Sequence, residues 1–247
     1  MDRALYVAMT GASETLRQQA INNHNLANAS TTGFRAELLA SATAAVQGPG
    51  LPTRVNAAAG TAGWDTRSGG IQQTGRELDV ALAEDAWLAV QGRDGREAYT
   101  KAGDLQLDAS GQLRTASGLA VLGDGGPIAL PQAQGLTIGG DGTISIQPLG
   151  SGSETLAAVG RLRVVRATPE QLQRGDDGLM RSRDGAPLAP ASGNVVSSGA
   201  LEGSNVNLPE AMVNMISLAR QFELQTKLMK TAEDNAAASS TLARMTG

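Results

Sequence analysis

Few side chains in this sequence could perform chemistry. Histidine occurs once, at His24, and cysteine is absent. One histidine cannot build a multi-histidine metal site, and the lack of thiols removes zinc–thiolate sites, disulfides and cysteine nucleophiles. A Ser-His-Asp triad would also have to use His24, and no G-x-S-x-G turn is present to expose a serine. We therefore expect no metal, no cofactor and no nucleophilic centre, and we interpret His24 as a polar residue on the outer face of a helix.

Paired carboxylates are the remaining candidates for catalysis, because two acids can hydrolyse a glycosidic bond. Such pairs occur at Glu84-Asp85 and Asp176-Asp177. Sugar sites normally add aromatic platforms, and the surrounding region contains only Trp87 and Tyr99. Adjacent acids beside glycine are typical of turns. We predict that the protein is not an enzyme. The alternative from another functional class is a carbohydrate-active enzyme or binder with a coiled-coil oligomerisation tail.

Charge and composition exclude several partners. The 247 residues carry a net charge of −4 and a pI near 5.1, so we expect no basic surface for nucleic acid. Aromatic residues make up 2 % and glycine contributes 31 residues, which favours thin sheets and close helix contacts over a large aromatic core. No stretch approaches the roughly eighteen apolar residues of a membrane helix. Met1–Tyr6 also lacks the basic and apolar regions of a cleavable signal peptide.

The C-terminal stretch from Asn207 to Met245 predicts one long helix. Asn207 is a good N-cap, Pro209 lies in the first turn, and Glu210 completes a capping box. Apolar residues then recur at alternating steps of four and three, which is a coiled-coil spacing. The residues of this predicted seam are Leu208, Met212, Met215, Ala219, Phe222, Thr226 and Met229.

The N-terminal residues 2 to about 29 predict a second helix with the same spacing. Its seam consists of Leu5, Met9, Ala12, Leu16, Gln19, Asn23 and Leu26. Two terminal helices with such seams suggest that the chain ends meet each other and other copies of the protein. Methionines in the seams favour an adaptable interface, because an unbranched thioether tolerates several packings. An ordinary helical hairpin within one monomer is the alternative.

The residues between the two helices differ in character, which predicts an α+β fold with an inserted domain. Residues 35–46 are Ala-rich and allow a short helical continuation, and Gly- and Pro-rich sequence follows. From Leu78 onward, short apolar runs such as Ala86–Val90 alternate with turn dipeptides such as Asp94-Gly95. We predict four regions: an N-terminal helical segment (1–36), an extended arm or linker (37–77), an all-β domain of short antiparallel strands (78–198) and a C-terminal helix (199–247).

Two motifs resemble signatures of the flagellar rod and hook proteins. Asn25–Phe34 reads NLANASTTGF and matches the pattern N-L-A-N-x-x-T-x-G-F that follows the first helix in that family. The second signature matches Ser204–Asn207, Glu210–Ile216 and Arg220–Glu223. Both motifs occur in the family's order, and together with the helix–arm–sheet–helix arrangement the resemblance covers nearly the whole chain.

The resemblance implies a structural axial subunit of the flagellar basal body in the periplasmic rod, exported by the flagellar type III apparatus without signal cleavage. Its partners would be other rod subunits and copies of itself, with no small-molecule substrate. The sequence resembles proximal more than distal rod proteins at Leu51–Arg54, Leu78–Leu82, Asp85–Val90 and Leu201–Val206. Distal rod proteins usually have Phe-Phe where Trp87-Leu88 stand. The distal rod remains the alternative. The helical segments would form the inner rod domain and the β domain the outer one. The expected assembly interface contains Leu5, Met9, Leu16, Leu26, Asn28, Gly33, Phe34, Asn205, Leu208, Met212, Met215, Ala219, Phe222 and Met229.

Overall fold

A computed structural model describes residues 2–40, 42–45, 55–58, 62–148 and 156–245. The chain divides into two compact units. The first, here called the helical unit, contains residues 1–29, 36–65 and 206–247. The second, here called the β unit, contains residues 30–35 and 66–205. The boundaries predicted at residues 36, 77 and 198 stay a prediction about domain organisation.

The helical unit contains both long helices, together with four short strands in its described part. These elements are α1 (Asp2–Ala27), β1 (Glu37–Leu39), β2 (Ala42–Ala45), β3 (Val55–Ala58), β4 (Ala62–Trp64) and α2 (Leu208–Met245). Strand β1 pairs with β4, and β2 pairs with β3, both antiparallel. The helical continuation expected within residues 35–46 is therefore wrong, because this segment forms β1 and β2. Part of the predicted arm, namely residues 41, 46–54 and 59–61, lies outside the described residues.

The start of α2 follows the predicted capping pattern. The Asn207 side-chain oxygen accepts a hydrogen bond from the Glu210 amide at 3.4 Å, and the Asn207 carbonyl accepts one from Ala211 at 2.9 Å. The first bond satisfies an amide that has no partner within the first turn of a helix, and the second is the first regular bond of α2. Within the described ranges, neither helix is long and apolar enough to cross a membrane.

The described part of the β unit is built from sixteen short strands that pair antiparallel. They are β5 (Ile71–Gln73), β6 (Val80–Leu82), β7 (Ala86–Gln91), β8 (Glu97–Thr100), β9 (Leu105–Leu107), β10 (Leu113–Thr115), β11 (Leu122–Gly123), β12 (Gly126–Pro127), β13 (Ala133–Ile138), β14 (Thr143–Pro148), β15 (Ala157–Arg161), β16 (Val164–Arg166), β17 (Leu172–Arg174), β18 (Met180–Ser182), β19 (Val196–Ser198) and β20 (Ala200–Glu202).

The strands of the β unit form one five-stranded sheet, one three-stranded sheet and several two-stranded pairs. The order in the larger sheet is β16-β7-β8-β18-β17, and the three-stranded sheet has the order β13-β14-β15. The pairs are β9–β10, β11–β12, β6–β19 and β5–β20. Together with the two helices, this arrangement confirms the predicted α+β class with many short antiparallel strands.

The core of the β unit is aliphatic, as its aromatic-poor composition predicts. Every residue of the apolar run Ala86–Val90 is buried, because strand β7 is covered on both faces. Leu88, Leu105, Leu113 and Val121 pack in one cluster with other buried aliphatic side chains. Burial of such side chains is the main favourable contribution to folding.

Turns between the strands use glycine where the sequence predicts it. The glycines of six Asp-Gly or Ser-Gly dipeptides all adopt φ between 71° and 86°: Gly95, Gly111, Gly118, Gly142, Gly178 and Gly185. This left-handed region strongly disfavours residues with a Cβ atom. The predicted turn positions are therefore confirmed in backbone geometry.

Candidate assembly site

The two long helices lie antiparallel against each other within the helical unit. The Asn22 side-chain amide donates to the Ala211 carbonyl at 2.8 Å, which joins the end of α1 to the start of α2. Farther along, Gln225 donates to the Thr15 hydroxyl at 3.3 Å. The first turns of α1 therefore lie beside the second half of α2.

On α1, the predicted seam is divided between two sides of the helix. Ala12 is buried, and Leu5, Gln19 and Leu26 are half-buried on the side that contains Thr15 and Asn22. Three other residues of the seam face outward instead: Met9, Leu16 and Asn23. The side of α1 that contacts α2 therefore differs from the predicted seam. It includes the polar residues Thr15 and Asn22 in place of Leu16 and Asn23.

On α2, the covered side is likewise rotated from the predicted seam. Met215, Phe222 and Met229 are half-buried, as is Thr226. In contrast, Leu208, Met212 and Ala219 are exposed. The residues that are buried or half-buried step by four and three along the helix: Ala211, Met215, Leu218, Phe222, Gln225, Met229 and Ala232. The predicted spacing is present, but it starts from Ala211 instead of Leu208.

A second apolar stripe, here called the outer stripe, lies on the other side of α2. It consists of Val213, Ile216, Leu224 and Leu228, whose side chains are all more than half exposed. At about 100° per residue, Val213 and Leu224 lie nearly opposite the covered side. A helix that is apolar on opposite sides is normally buried on both. This stripe is absent from the predicted seam, although apolar residues on all sides of the helix within residues 211–229 indicate it.

A groove lies where α1 begins and α2 continues past it. Its volume is about 730 Å³, and its lining is mainly apolar. The lining residues are Leu5, Thr226, Met229, Lys230, Ala232, Glu233 and Ala236. Two predicted interface residues, Leu5 and Met229, therefore lie at the same groove.

The end of α1 is fixed by polar contacts. Asn28 donates through its side chain to the His24 carbonyl at 2.9 Å, which caps the last turn. Asn25 exchanges two hydrogen bonds with the Glu37 backbone, at 2.8 and 2.9 Å. The His24 ring lies 3.2 Å from the Glu37 carboxylate and remains 46 % exposed, in agreement with its interpretation as a polar surface residue. Asn28 thus stabilises its own helix end, and its role in assembly stays a prediction.

The second half of the N-terminal motif lies on the β unit. Gly33 donates to the Glu202 carbonyl at 2.7 Å, and Asn205 donates to the Phe34 carbonyl at 3.2 Å. Gly33 has φ +66°, and a Cβ atom there would overlap the backbone of Lys101. Only glycine fits this position. The structure therefore brings together three predicted site residues, Gly33, Phe34 and Asn205.

Two arginines extend this contact. The Arg174 guanidinium lies 5.0 Å from the centre of the Phe34 ring, and its Nη1 donates to the Arg35 carbonyl at 3.2 Å. The Arg35 side chain donates to the carbonyl of Arg67, which also accepts a bond from the Asn205 side chain at 2.8 Å. The Arg174 guanidinium thus lies over the Phe34 ring. The carbonyls of Phe34 and Arg35 both accept hydrogen bonds, from Asn205 and Arg174 respectively.

Three buried charged residues lie beneath this segment. Arg35 Nη2 is 2.7 Å from Glu202 Oε1, and Lys101 Nζ is 3.9 Å from Glu202 Oε2. Each of the three is at least 97 % buried. Lys101 also donates to the carbonyls of Ala83 and Glu84, at 2.6 and 2.9 Å, and lies 5.2 Å from the centre of the Trp87 ring. Burial lowers the pKa of Lys101 to about 8, and the nearby Glu202 charge opposes part of that shift.

The three charged residues, here called the charged cluster, are not among the predicted site residues. Arg35, Lys101 and Glu202 are far apart in sequence, and no spacing pattern links them. Within the described part of the chain, no group of three His, Asp or Glu side chains could hold a metal ion. The exposed apolar surfaces of the helices can bind other apolar surfaces. The charged cluster can hold the chain in place next to Gly33 and Phe34.

Three family models match successive parts of the chain. Residues 5–35 match the model described as flagella basal body rod protein, residues 81–146 match the flagellar hook protein FlgE/F/G D1 domain, and residues 197–242 match the flagellar basal body rod FlgEFG protein C-terminal region. The first and third models cover most of the two long helices. These matches define a structural protein of the flagellar basal body, not an enzyme.

Individual proteins similar to this chain belong to the same class as the matched family models. The chain is 48 % identical to the flagellar basal-body rod protein FlgF of Escherichia coli (strain K12) over 251 residues, covering 99 % of this chain and 100 % of that protein. It is 47 % identical to FlgF of Salmonella typhimurium, covering 95 % and 96 %, and 29 % identical to FlgG of Bacillus subtilis, covering 95 % and 96 %. The chain belongs to the flagellar basal-body rod protein family. The resemblance drawn from its two motifs is therefore confirmed, and the carbohydrate-active alternative is set aside.

Proposed function

We propose that this rod subunit belongs to the proximal rod and assembles through its two terminal helices with copies of itself and with other rod subunits. The observation that supports this most directly is the outer stripe of α2. Helix α1 covers one side of α2, while Val213 and Leu224 on the other side are 66 % and 61 % exposed. An apolar stripe of this kind is stabilised when a second helix covers it, in coiled-coil fashion.

We expect the rod to grow as a helical assembly because each subunit would contact its two neighbours through different surfaces. A subunit that contacts its neighbours through two unlike surfaces forms a heterologous contact, which continues into a helical assembly when it does not close into a ring. Tyr6, Met9 and Leu16 of α1 form a second exposed apolar surface, at 58, 49 and 49 %. The α1 surface of one subunit and the outer stripe of the next are the pair that we assign to this contact. The product is a stiff shaft that transmits torque for motility.

Sequence identity to the FlgF proteins favours a position in the proximal rod over one in the distal rod. Identity is 48 % and 47 % to two proteins named FlgF, against 29 % to the FlgG of Bacillus subtilis. The Trp87-Leu88 pair, at the place where distal rod proteins usually have Phe-Phe, agrees with that difference. Export by the flagellar type III apparatus, without a cleavable signal, is part of the same proposal.

The test replaces one leucine of the outer stripe. Leu224→Asp places a charge in the stripe without touching the side that contacts α1, so we expect the chain to fold and the rod to remain incomplete. The matched control is Leu156→Asp in the β unit, because Leu156 has the same 61 % exposure as Leu224. Electron microscopy of isolated basal bodies and swimming assays give the readout. Complete rods in the Leu224→Asp strain would overturn assembly through this stripe.

A further inference from the structure

The chain first enters the β unit at residues 30–35 and leaves it for the last time after residues 203–205, although residues 36–65 in between belong to the helical unit. These two segments, here called the entry segment and the exit segment, lie side by side. The Gly33 amide bonds the carbonyl of Glu202, and the Asn205 amide bonds the carbonyl of Phe34. A third stretch, residues 67–70, joins them: Gly203 donates to the Gly70 carbonyl at 2.9 Å. The first entry and the final exit of the chain are therefore fastened at one place on the β unit.

A single carboxylate lies at the centre of this place. In addition to its ion pair with the Arg35 guanidinium, Glu202 Oε1 accepts a hydrogen bond from the Gly69 amide at 2.9 Å. Lys101 approaches the other oxygen of the same carboxylate. Glu202 thus contacts the entry segment through Arg35, belongs to the strand that precedes the exit segment, and bonds the loop between 67 and 70.

Burial makes these charges mutually dependent. Removing one partner of a buried ion pair is strongly destabilising, because it leaves a charge without compensation. Exposed ion pairs contribute little, and the β unit contains one for comparison: Arg166 lies 3.6 Å from Asp85, with both side chains 55 % exposed.

We propose that the charged cluster is a clamp that holds the entry and exit segments together, so that both segments loosen together when the Glu202 charge is lost. A mechanical consequence rests on the proposed function. The entry segment follows α1 and the exit segment precedes α2 in the chain, so a load on either helix reaches the same clamped point of the β unit.

Amide hydrogen exchange on the full-length protein tests the clamp. Glu202→Gln keeps the shape of the side chain and removes its charge. We expect amide exchange to accelerate by roughly tenfold or more in both segments, 30–35 and 203–205, while strand β7 (86–91) exchanges as in wild type. Strand β7 serves as an internal reference for global unfolding, because all but its last residue are buried.

The matched control is Glu97→Gln, the same substitution in another ion pair of the β unit. Glu97 lies 3.0 Å from Arg163, with side chains 22 % and 23 % exposed. We expect this variant to leave exchange in both segments unchanged. Arg35→Lys keeps the positive charge but not the planar fork, so it should accelerate exchange in both segments to a smaller extent. This second variant keeps the test decisive if Glu202→Gln does not fold.

Two separate readouts distinguish the clamp from its mechanical consequence. Unchanged exchange in one or both segments, or an increase that β7 shares equally, would overturn the clamp. In cells, we expect Glu202→Gln to slow swimming in a viscous medium relative to Glu97→Gln. Equal speeds would overturn the mechanical consequence and leave the proposed assembly function untouched, because assembly is tested separately at Leu224.

Discussion

The amide of Gly33 donates to the carbonyl of Glu202 at 2.7 Å, although the two residues lie near opposite ends of the chain. The bond joins the turn of the first motif to the strand that precedes the second. Gly33 has no room for a side chain, since a Cβ atom would overlap the backbone of Lys101. Gly33 and Phe34 of the T-T-G-F sequence thus contact other residues of the β unit, and their role in assembly stays a prediction.

Replacing this glycine gives the first prediction. Gly33→Ala must either leave its left-handed conformation or displace the Lys101 backbone, so we expect it to lower the free energy of unfolding by more than about 3 kcal/mol, on the order of strain and overpacking combined. Chemical denaturation followed by tryptophan fluorescence measures the change.

Gly75→Ala separates the two causes. Gly75 has φ +71°, nearly the same as Gly33, but no neighbouring atom of the described residues lies within 4 Å of the position that a Cβ atom would take there. Only backbone strain applies at Gly75, and we expect a loss of about 1–2 kcal/mol. Equal losses in both variants would show that the close approach to Lys101 contributes nothing.

The β unit shows how much local sequence can predict. Strand β7 and the turn glycines follow from patterns within a few residues, namely a continuous apolar run and Asp-Gly or Ser-Gly dipeptides. The charged cluster cannot be predicted from local patterns, because Arg35, Lys101 and Glu202 are far apart in sequence and come together only in the folded β unit. No pattern in one sequence indicates that three charged residues will be buried together.

The helices illustrate a different limit. Steps of four and three correctly predict two long helices, but the predicted seams include exposed residues such as Met9, Leu16 and Met212. The contact between α1 and α2 within this chain also uses polar residues: Asn22 donates to the Ala211 carbonyl, and Gln225 donates to the Thr15 hydroxyl. Apolar spacing alone cannot identify the covered side when apolar residues also face outward and polar ones face the partner.

The antiparallel helix pair gives the second prediction. Leu5 and Met229 line the same groove, so a short bis-maleimide should join Leu5→Cys to Met229→Cys within one chain. The absence of native cysteine makes the reaction specific. Intramolecular linkage gives a monomer that carries one reagent molecule and no free thiol, whereas unlinked chains carry two reagent molecules, and the mass of the intact protein distinguishes the two.

The control pair combines Leu5→Cys with Leu228→Cys, because Leu228 is 61 % exposed and belongs to the outer stripe. We expect far less intramolecular product from it. If both pairs react equally, or if the first pair yields only dimers, then the helices do not pair within one chain as described.

The contact between Phe34 and Arg174 gives the third prediction. Their separation of 5.0 Å is typical of a cation–π interaction. A double-mutant cycle with Phe34→Leu and Arg174→Gln should give a coupling energy of about 0.5–2 kcal/mol. The cycle cancels the separate hydrogen bond from Arg174 to the Arg35 carbonyl. Strictly additive losses would mean that the ring and the guanidinium do not stabilise each other.

The buried ammonium of Lys101 gives the fourth prediction, on pH dependence. Its pKa is about 8 in the folded protein, against 10.5 for the ordinary group, and burial is the main cause. Glu202, Glu84 and Asp85 raise this pKa, and Arg35 lowers it. Between pH 8 and 10.5 the unfolded chain therefore binds more protons at this residue than the folded chain does.

The sign of the effect follows from proton linkage. Stability rises with pH where the unfolded state binds more protons, so Lys101 should add a positive slope of at most about 1.4 kcal/mol per pH unit between pH 8 and 10.5. Below pH 8 both states are protonated and the contribution is flat. Denaturation of wild type and Lys101→Met across this range measures the difference in slope, which cancels the other titrating groups. Lys227→Met, the same substitution at an exposed lysine, controls for the loss of one positive charge. Parallel curves for wild type and Lys101→Met would show that the ammonium is not buried as its contacts with Ala83, Glu84 and Trp87 require.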